Sequence, residues 1–208
     1  MSVRRIKSVA LSASAAILVA GFTVTTPQAQ ASEVVIRPAF RQSVFVVGDS
    51  LTVGSQQSLK FHLHSSARRI GIDARVGRFT NEGISKLRTA SARRYSIWVV
   101  ALGTNDGPSA SAMKSYVRRV MRLAGKDRKV VWVNVVRPGG YDKVNTALAR
   151  STKRYPNLSV VDWARFIAHH RYYLAGDRVH LNSQGYSIRG QMIAQAVHRL
   201  VAVAARLI

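Results

Sequence analysis

Residues 44–52 read VFVVGDSLT, an apolar run that ends in a small polar turn. Four consecutive apolar residues, three of them Val, are typical of a strand that is buried on both faces. Gly48 permits a tight turn after that strand. Ser50 would open the next helix, with its hydroxyl and backbone N–H directed into the crevice beyond the strand. The stretch therefore predicts a strand, a tight turn and a helix, with a hydroxyl at the turn.

Four more apolar runs follow, each short and bounded by Gly, Asn, Asp or Pro. The five runs cover residues 44–47, 70–76, 97–102, 130–136 and 158–161. Between them, apolar residues recur at intervals of three and four, which predicts helices with a basic outer face; the longest extends from Ser183 to about Leu207. Strands that alternate with helices predict an α/β fold, here a five-stranded parallel sheet in a flavodoxin-like order with helices on both sides.

The composition describes one modest globular domain with an unusual charge. The chain has 208 residues, 47% of them hydrophobic, and no cysteine. One core of ordinary size suits this length, whereas two domains would each be small and marginal. The lack of cysteine excludes disulfides, thiol nucleophiles, iron–sulfur clusters and cysteine zinc sites, so any chemistry uses oxygen or nitrogen groups. Lys and Arg number 32 against 9 Asp and Glu, which gives a formal charge of +23.

The first 31 residues are predicted to be a secretory signal peptide. Basic residues near the start precede an apolar and small-residue stretch that ends at about Val24, and a small-x-small cleavage pattern ends at Ala31. The apolar stretch is shorter than the roughly 20 residues that span a bilayer, which argues against a retained anchor. We therefore expect a secreted, extracytoplasmic protein with cleavage after Ala31, a polar lead-in over residues 32–42 and one domain over residues 43–208.

Two roles are open for Ser50 at the start of the first helix. A serine in this position often caps the helix by accepting a hydrogen bond from a backbone N–H. The alternative is a nucleophile that faces the crevice. The turn is not the Gly-x-Ser-x-Gly elbow of α/β-hydrolases, because Thr52 stands where the second Gly would be.

Two further loops follow strands and are expected at the same sheet edge. Asn105 lies in the Gly-flanked sequence GTNDG after the third run, and Gly77 follows the second run. Both could be simple turn residues. Alternatively, the Asn105 amide could donate to an oxyanion, and Gly77 could let a backbone N–H approach a ligand without hindrance.

The sequence Asp177-Arg178-Val179-His180, before the last helix, is the most informative motif. A carboxylate three residues before an imidazole can fix its tautomer and steady the imidazolium, as a general base requires. The alternative is a capping Asp beside a surface His. Of the six histidines, only His180 has such a partner. We expect the other five to be surface or structural residues and not to form a metal site.

These four blocks in this order are identified as those of the SGNH hydrolase superfamily, also called the GDSL esterase/lipase family. The matching residues are Ser50 in Gly48-Asp49-Ser50-Leu51, Gly77, Asn105 in Gly103-Thr104-Asn105-Asp106, and Asp177 with His180. The resemblance covers the chain from Val44 to the final helix. It implies a three-layer αβα sandwich and hydrolysis of esters without a metal or other cofactor. It also implies that Ser50 is the nucleophile, His180 the base and Asp177 its orienting partner, with the backbone N–H groups of Ser50 and Gly77 and the Asn105 side chain forming the oxyanion hole.

A narrower resemblance is to the extracytoplasmic SGNH domains of peptidoglycan O-acetyltransferases. It rests on Val133-Asn134, Asn145, Val161-Asp162-Trp163 and the His-Leu ending of the last motif. Those domains are usually joined to a membrane part that delivers the acyl group, and this sequence shows no such part, so hydrolysis is favoured over transfer. For Asp162 and Trp163 we favour a helix cap and a core aromatic residue.

The leading hypothesis is a secreted serine esterase acting on small acyl, especially acetyl, esters of a small molecule, a carbohydrate or a cell-wall glycan. The alternatives are O-acetyl transfer to wall sugars and a vestigial module that binds cell wall or polyanions. The basic charge would suit an anionic cell-wall polymer or a membrane surface; the alternative is that it only keeps helix faces solvated. No nucleic-acid-binding fold or aromatic stacking pattern accompanies it, and the sequence gives no oligomeric state.

Overall fold

Five parallel strands form one sheet in the order β2-β1-β3-β4-β5. The computed structural model describes residues 42–205. The strands are β1 (Gln42–Gly48), β2 (Ala67–Ala74), β3 (Ile97–Ala101), β4 (Lys129–Val133) and β5 (Leu158–Val161). The helices are α1 (Ser50–Leu63), α2 (Thr80–Leu87), α3 (Ala90–Arg93), α4 (Ala110–Ala124), α5 (Asp142–Ser151), α6 (Trp163–His169) and α7 (Ser183–Ala205), with a 3-10 turn at Arg171–Tyr173. The predicted parallel sheet and flavodoxin-like order are confirmed.

The strands are apolar on both faces because helices cover both faces. Val44 and Val46 of β1 pack into a core with α1, α6 and α7, whereas Phe45 and Val47 pack into a second core with α2, α4 and α5. The same alternation along β3 and β4 divides their side chains between the two cores, as the two-residue period of a strand requires. The predicted three-layer αβα sandwich is confirmed.

The sheet order places a topological switch point between β1 and β3. The chain leaves β1 for β2 on one side and later returns to β3 on the other side. Loops that leave the carboxyl ends of these two neighbouring strands diverge and open a crevice, where ligands bind in this class of sheet. The turn that carries Ser50 follows β1, and the loop that carries Asn105 follows β3.

Two strands, β2 and β4, differ most in extent from their predicted runs. The second run was expected over 70–76, but β2 covers Ala67–Ala74. It is an edge strand paired only with β1, and its second and third residues, Arg68 and Arg69, are exposed, so hydrophobicity does not mark its start. The fourth run was expected to reach residue 136, but β4 ends at Val133 because the Asn145 side chain, not a strand, hydrogen-bonds the N–H and the carbonyl of Val135.

The expected signal peptide over residues 1–31 and most of the lead-in lie outside the described residues. Gln42, the last residue of that lead-in, is the first residue of β1. Within residues 42–205 no helix is both long enough and apolar enough to cross a membrane.

Candidate active site

Ser50 is the first residue of α1, and the capping role belongs to its neighbour Asp49. The Asp49 carboxylate accepts a hydrogen bond of 3.0 Å from the Leu51 N–H, which leaves the Ser50 hydroxyl available for other contacts. A side chain at Gly48 would come within 2.0 Å of the Thr52 hydroxyl, so the turn into α1 requires glycine there. The tight turn predicted at Gly48 therefore serves to bring the helix start close to the strand end.

The structure brings Ser50, His180 and Asp177 together although Ser50 lies 130 residues from His180. The Nε2 atom of His180 lies 3.1 Å from the Ser50 Oγ, and its Nδ1 atom lies 2.6 Å from the Asp177 Oδ2. The hydrogen-bonded series runs from hydroxyl to imidazole to carboxylate, with the imidazole in the middle. A neutral imidazole that donates to Asp177 through Nδ1 presents an acceptor at Nε2 toward the Ser50 hydroxyl.

Asp177 is held ionised by the groups that orient it. Its Oδ1 atom accepts hydrogen bonds from the backbone N–H groups of Val179 at 3.0 Å and His180 at 2.9 Å. The hydrogen bond to the His180 side chain, followed by these backbone donors, lowers the pKa of Asp177 to about 2. The carboxylate is therefore charged throughout the neutral range.

The loop before α7 fixes the position of the imidazole. Leu174 and Leu181 form an antiparallel bridge, and the Ala175 N–H donates to the carbonyl oxygen of His180 at 2.8 Å. Arg178, at the tip, has a φ of 58°, a conformation that residues other than glycine seldom adopt. This compact loop presents Asp177 and His180 from one short segment.

Asn182 ties that loop to the start of α7, and the sequence interpretation did not identify it. Its Oδ1 atom accepts a hydrogen bond from the Gly185 N–H at 2.8 Å, which caps the helix. Its Nδ2 atom donates to the carbonyl of Tyr172 at 2.8 Å, and its backbone N–H donates to that of Tyr173 at 3.0 Å. An Asn directly before a long predicted helix was the available signal.

Asn105 and Gly77 meet at the loop after β2. The Asn105 Nδ2 atom donates to the carbonyl oxygen of Arg78, the residue after Gly77, at 3.1 Å. An amide nitrogen has two hydrogens, so one remains free to donate elsewhere. Gly77 has a φ of 73° and open space where a side chain would be. The structure thus places both residues in adjoining loops. The Arg75 N–H and the Arg78 side chain both donate to the carbonyl oxygen of Gly48, and they join the loop of Gly77 to the turn that carries Ser50.

Arg78 is the main structural residue that sequence reasoning missed. Its side chain is almost fully buried and donates to the carbonyl oxygens of Gly48 at 3.2 Å and Asp73 at 2.5 Å, and to the Asp73 carboxylate at 2.5 Å. It therefore joins the loop of Gly77 to the turn of Ser50. A basic residue in the loop four residues after β2 gave no sign that it would be buried.

Asp106 holds the Asn105 loop against two helices. Its carboxylate accepts hydrogen bonds from the backbone N–H of Thr80 at 3.1 Å and from the Thr80 hydroxyl at 2.5 Å. The Tyr116 hydroxyl donates to it at 3.3 Å, and the Tyr141 hydroxyl donates to the Asp106 carbonyl. The pKa of Tyr116 is raised, mainly by burial and then by this carboxylate. Asp106 thus fixes the loop on which Asn105 depends.

A buried charge lies behind the Ser50 turn. Asp49 is fully buried, and burial raises its pKa, an effect that the positive charge of Arg189 on α7 partly offsets. Arg189 is itself 3% exposed, and its Nε and Nη1 atoms have no hydrogen-bond partner within residues 42–205. The helix that follows the His180 loop thus supplies positive charge near the residue that caps α1.

The residues behind the narrower resemblance have structural roles. Asp162 caps α6 by accepting from the Arg165 N–H at 3.1 Å, and Trp163 is 1% exposed in the core, as favoured from the sequence. The Asn134 side chain donates to Asp162 at 2.7 Å, and Asn145 secures the loop after β4 through Val135. These contacts fix the loop after β4 and the start of α6.

No protein-family model matches the chain. It is 25% identical over 159 residues to a predicted peptidoglycan O-acetyltransferase of Bacillus subtilis, which covers 75% of this chain and 24% of that protein. It is 31% identical over 144 residues to a predicted O-acetyltransferase of Staphylococcus aureus, which covers 67% of this chain and 22% of that protein. The chain spans less than a quarter of the length of these relatives.

Solved structures give the fold. The C-terminal catalytic domain of peptidoglycan O-acetyltransferase A from Streptococcus pneumoniae, with a methylsulfonyl adduct, superposes with a TM-score of 0.64 at 19% identity, covering 79% of this chain and 95% of that one. A lipolytic protein of the G-D-S-L family from Veillonella parvula gives 0.57 at 16% identity, covering 74% and 94%. The chain has the SGNH hydrolase fold. An acetyl xylan esterase variant from Geobacillus stearothermophilus shares this SGNH fold, with a TM-score of 0.59 at 14% identity and coverage of 77% and 94%. The resemblance predicted from the four sequence blocks is confirmed.

Proposed function

We propose that the chain is a serine esterase that hydrolyses small acyl esters, above all acetyl esters, on a carbohydrate or cell-wall glycan. The observation that carries the proposal is the hydrogen-bonded series of Ser50, His180 and Asp177, with contacts of 3.1 and 2.6 Å. The names of the relatives, an acetyl xylan esterase and peptidoglycan O-acetyltransferases, support an acetyl group and a glycan.

The first half of the reaction acylates Ser50. The Ser50 oxygen attacks the ester carbonyl carbon while His180 Nε2 takes the hydroxyl proton. The ionised Asp177 stabilises the imidazolium that forms and keeps its Nδ1 proton in place. When the tetrahedral intermediate breaks down, the alcohol oxygen leaves with the proton from His180, and the acyl group remains on Ser50. The reaction as written requires no metal ion or cofactor.

Three donors are proposed to hold the oxyanion. The backbone N–H of Ser50 belongs to the first turn of α1, where N–H groups have no intrahelical acceptor. The free hydrogen of the Asn105 amide and the Gly77 N–H would complete the set. Support comes from the hydrogen bonds that join all three loops through Arg78, since rigid, preoriented donors are what stabilise developing charge.

The second half of the reaction decides between two functions. If water attacks the acyl-enzyme, His180 takes its proton, and the free acid and Ser50 are released; this is the esterase. If a sugar hydroxyl attacks instead, the acyl group passes to the sugar. The sequence similarity to O-acetyltransferases favours transfer as the second candidate. The predicted signal peptide and the peptidoglycan named for one relative support an extracytoplasmic site of action for either reaction.

The test compares the chain with its Ser50→Ala variant on p-nitrophenyl acetate and on acetylated xylo-oligosaccharide. We expect release of p-nitrophenol and acetate that the variant loses almost completely. Equal, slow release by both proteins would reject catalysis by Ser50 and leave a module that only binds. Supplying unacetylated oligosaccharide separates the two reactions, because transfer yields more acetylated acceptor than free acetate.

Ser55→Ala is the matched control for the loss of a hydroxyl on α1. Ser55 is fully buried and donates to the Leu51 carbonyl oxygen at 2.9 Å, away from His180. Its variant should keep its activity even if it loses some stability. A parallel loss of activity in both variants would point to damage to α1 and not to removal of a nucleophile.

A further inference from the structure

A cavity of about 710 Å³ lies next to the Asp177–His180 loop. Its walls are the loop after β4, the start of α5, one side of α6 and the segment over 171–178. Gly139 and Gly140 have positive φ and open space where side chains would be, so this part of the wall is bare backbone. The cavity is large enough for several sugar units or a comparable group.

Three arginines line this cavity. Arg137 belongs to the loop after β4, Arg171 and Arg178 belong to the segment over 171–178, and Asp142 is the one carboxylate among the lining residues. Within residues 42–205, none of the three guanidinium groups has a carboxylate within 4.0 Å. Positive charge is therefore concentrated in a concave site and is not neutralised by ion pairs.

Two of its arginines link the cavity to the loops of the candidate catalytic groups. Arg178 lies between Asp177 and His180 in sequence, at the tip of their loop. On the other side, the Arg137 side chain donates to the carbonyl oxygen of Thr104 at 2.6 Å, next to Asn105. A molecule in the cavity would thus lie beside the loop of the proposed base, and Arg137 would connect it to the loop of a proposed oxyanion donor.

We infer that this cavity binds an anionic group, a carboxylate or a phosphate, carried by the same molecule as the ester. The planar guanidinium forks of arginine match both oxyanions and bind them through two parallel hydrogen bonds. The inference rests on the proposed function for the position of the ester, and it narrows the substrate to an anionic glycan or polymer. It also assigns part of the positive charge to a defined site.

Binding is tested apart from catalysis with the Ser50→Ala full chain. The probes are unacetylated oligogalacturonate for the carboxylate, oligomeric glycerol phosphate for the phosphate and xylo-oligosaccharide as the neutral control, measured by titration calorimetry at low and at physiological salt. We expect one of the anions to bind and the neutral sugar to bind more weakly. The additional pair Arg171→Gln and Arg178→Asn should weaken binding of that anion at least about ten-fold; Asn is chosen because it tolerates positive φ.

The matched control removes two arginines from the exposed face of α4, as Arg118→Gln with Arg122→Gln. Equal weakening by both pairs would overturn the inference, because the attraction would then be a field effect of the whole surface. Absence of anion binding, or loss of neutral-sugar binding to the same extent, would overturn it too. If the anion binds through the cavity but no ester is hydrolysed by the Ser50 protein, the subsite stands and the proposed function fails.

With active protein the same subsite predicts a substrate preference. The ratio of kcat/KM for acetylated oligogalacturonate to that for acetylated xylo-oligosaccharide should be well above one, and it should fall at least about ten-fold in the cavity pair. Retention of the ratio by that pair would contradict the inference.

Discussion

Arg78 donates a hydrogen bond from Nη1 to the carbonyl oxygen of Gly48, at 3.2 Å, and thereby joins the loop after β2 to the turn that carries Ser50. The carbonyl oxygen of the same residue accepts from the Asn105 amide at 3.1 Å. One buried arginine thus connects three of the four sequence blocks of the proposed site. Substitution of Arg78 should therefore reduce activity more than substitution of an ordinary buried residue does.

Arg78→Gln should lower both stability and activity. The variant loses hydrogen bonds to Gly48 and to the half-buried Asp73, so we expect a loss of about 2–3 kcal/mol in the free energy of unfolding and at least about a ten-fold loss in kcat/KM for an acetyl ester. Arg78→Lys should restore little, because an ammonium lacks the planar fork that reaches both acceptors. Denaturant unfolding and steady-state kinetics measure the two effects.

The control for this prediction is Arg128→Gln. Arg128 also donates to a backbone carbonyl, that of Arg93 at 2.7 Å. It lies directly before β4, at the amino ends of the strands and away from the candidate site. Its variant should lose stability and keep its activity. If the Arg78 variant behaves in the same way, Arg78 does not position the site.

The ionisation of Asp177 predicts the shape of the pH profile. Its pKa of about 2 lies below the ordinary value of an aspartate, because the His180 side chain and two backbone N–H groups hydrogen-bond the charged form. The stability that this shift provides is present above about pH 4 and is lost as the pH falls toward 2. Across neutral pH the carboxylate does not titrate, so Asp177 should give no inflection in the activity profile there and should lower activity only at acid pH.

Asp177→Asn removes the charge and keeps the shape of the side chain. We expect kcat to fall by roughly 10²–10⁴, because the amide neither fixes the Nδ1 proton nor stabilises the imidazolium. The unfolding free energy at pH 7 serves as the control for folding. A variant with nearly normal kcat would remove Asp177 from the mechanism.

Asn105→Ala tests the oxyanion proposal. Loss of one donor should reduce kcat by roughly 10²–10³ with little change in KM, since the donor acts mainly on the transition state. Asn105→Asp should be at least as poor, because a carboxylate repels the developing negative charge. A rise in KM alone would assign Asn105 to ground-state binding.

The cap at Asn182 gives a prediction on positioning. Asn182→Ala should cost about 1 kcal/mol of stability and also reduce kcat, since the side chain links α7 to the carbonyl of Tyr172. Thr89→Ala is the comparison, because Thr89 caps α3 at the far edge of the sheet and accepts from the Ala92 N–H at 3.2 Å. It should cost similar stability without loss of kcat. Equal kcat losses would show that stability alone matters.

The strands and the general place of the site could be predicted from sequence because both depend on local patterns. The run from Val44 to Val47 is buried on both faces, and polar residues follow the carboxyl ends of β1 and β3. Parallel strands then bring those residues to one edge. The contact between Asp177 and His180 could also be predicted, because two residues that lie three positions apart can meet across one tight turn.

The supporting residues could not be predicted because their partners are distant in sequence. Arg78 hydrogen-bonds Gly48, which lies 30 residues earlier in the sequence, and the Asp106 carboxylate accepts a hydrogen bond from Thr80, which lies 26 residues earlier. Nothing local distinguishes a buried arginine from the many exposed ones in so basic a chain. The interpretation of Ser50 as a cap was open for the same reason, and it was resolved only by the hydrogen bond that Leu51 donates to Asp49.

The most direct test is covalent labelling of the folded chain with methanesulfonyl fluoride, followed by mass spectrometry of intact protein and of its peptides. The Ser50 oxygen should displace fluoride and form one sulfonyl ester per chain, with loss of acetyl-ester hydrolysis in proportion to labelling. Ser50→Ala should not react, and His180→Ala should react far more slowly. Equal labelling of the Ser50→Ala variant, or full hydrolysis by fully labelled protein, would contradict the account.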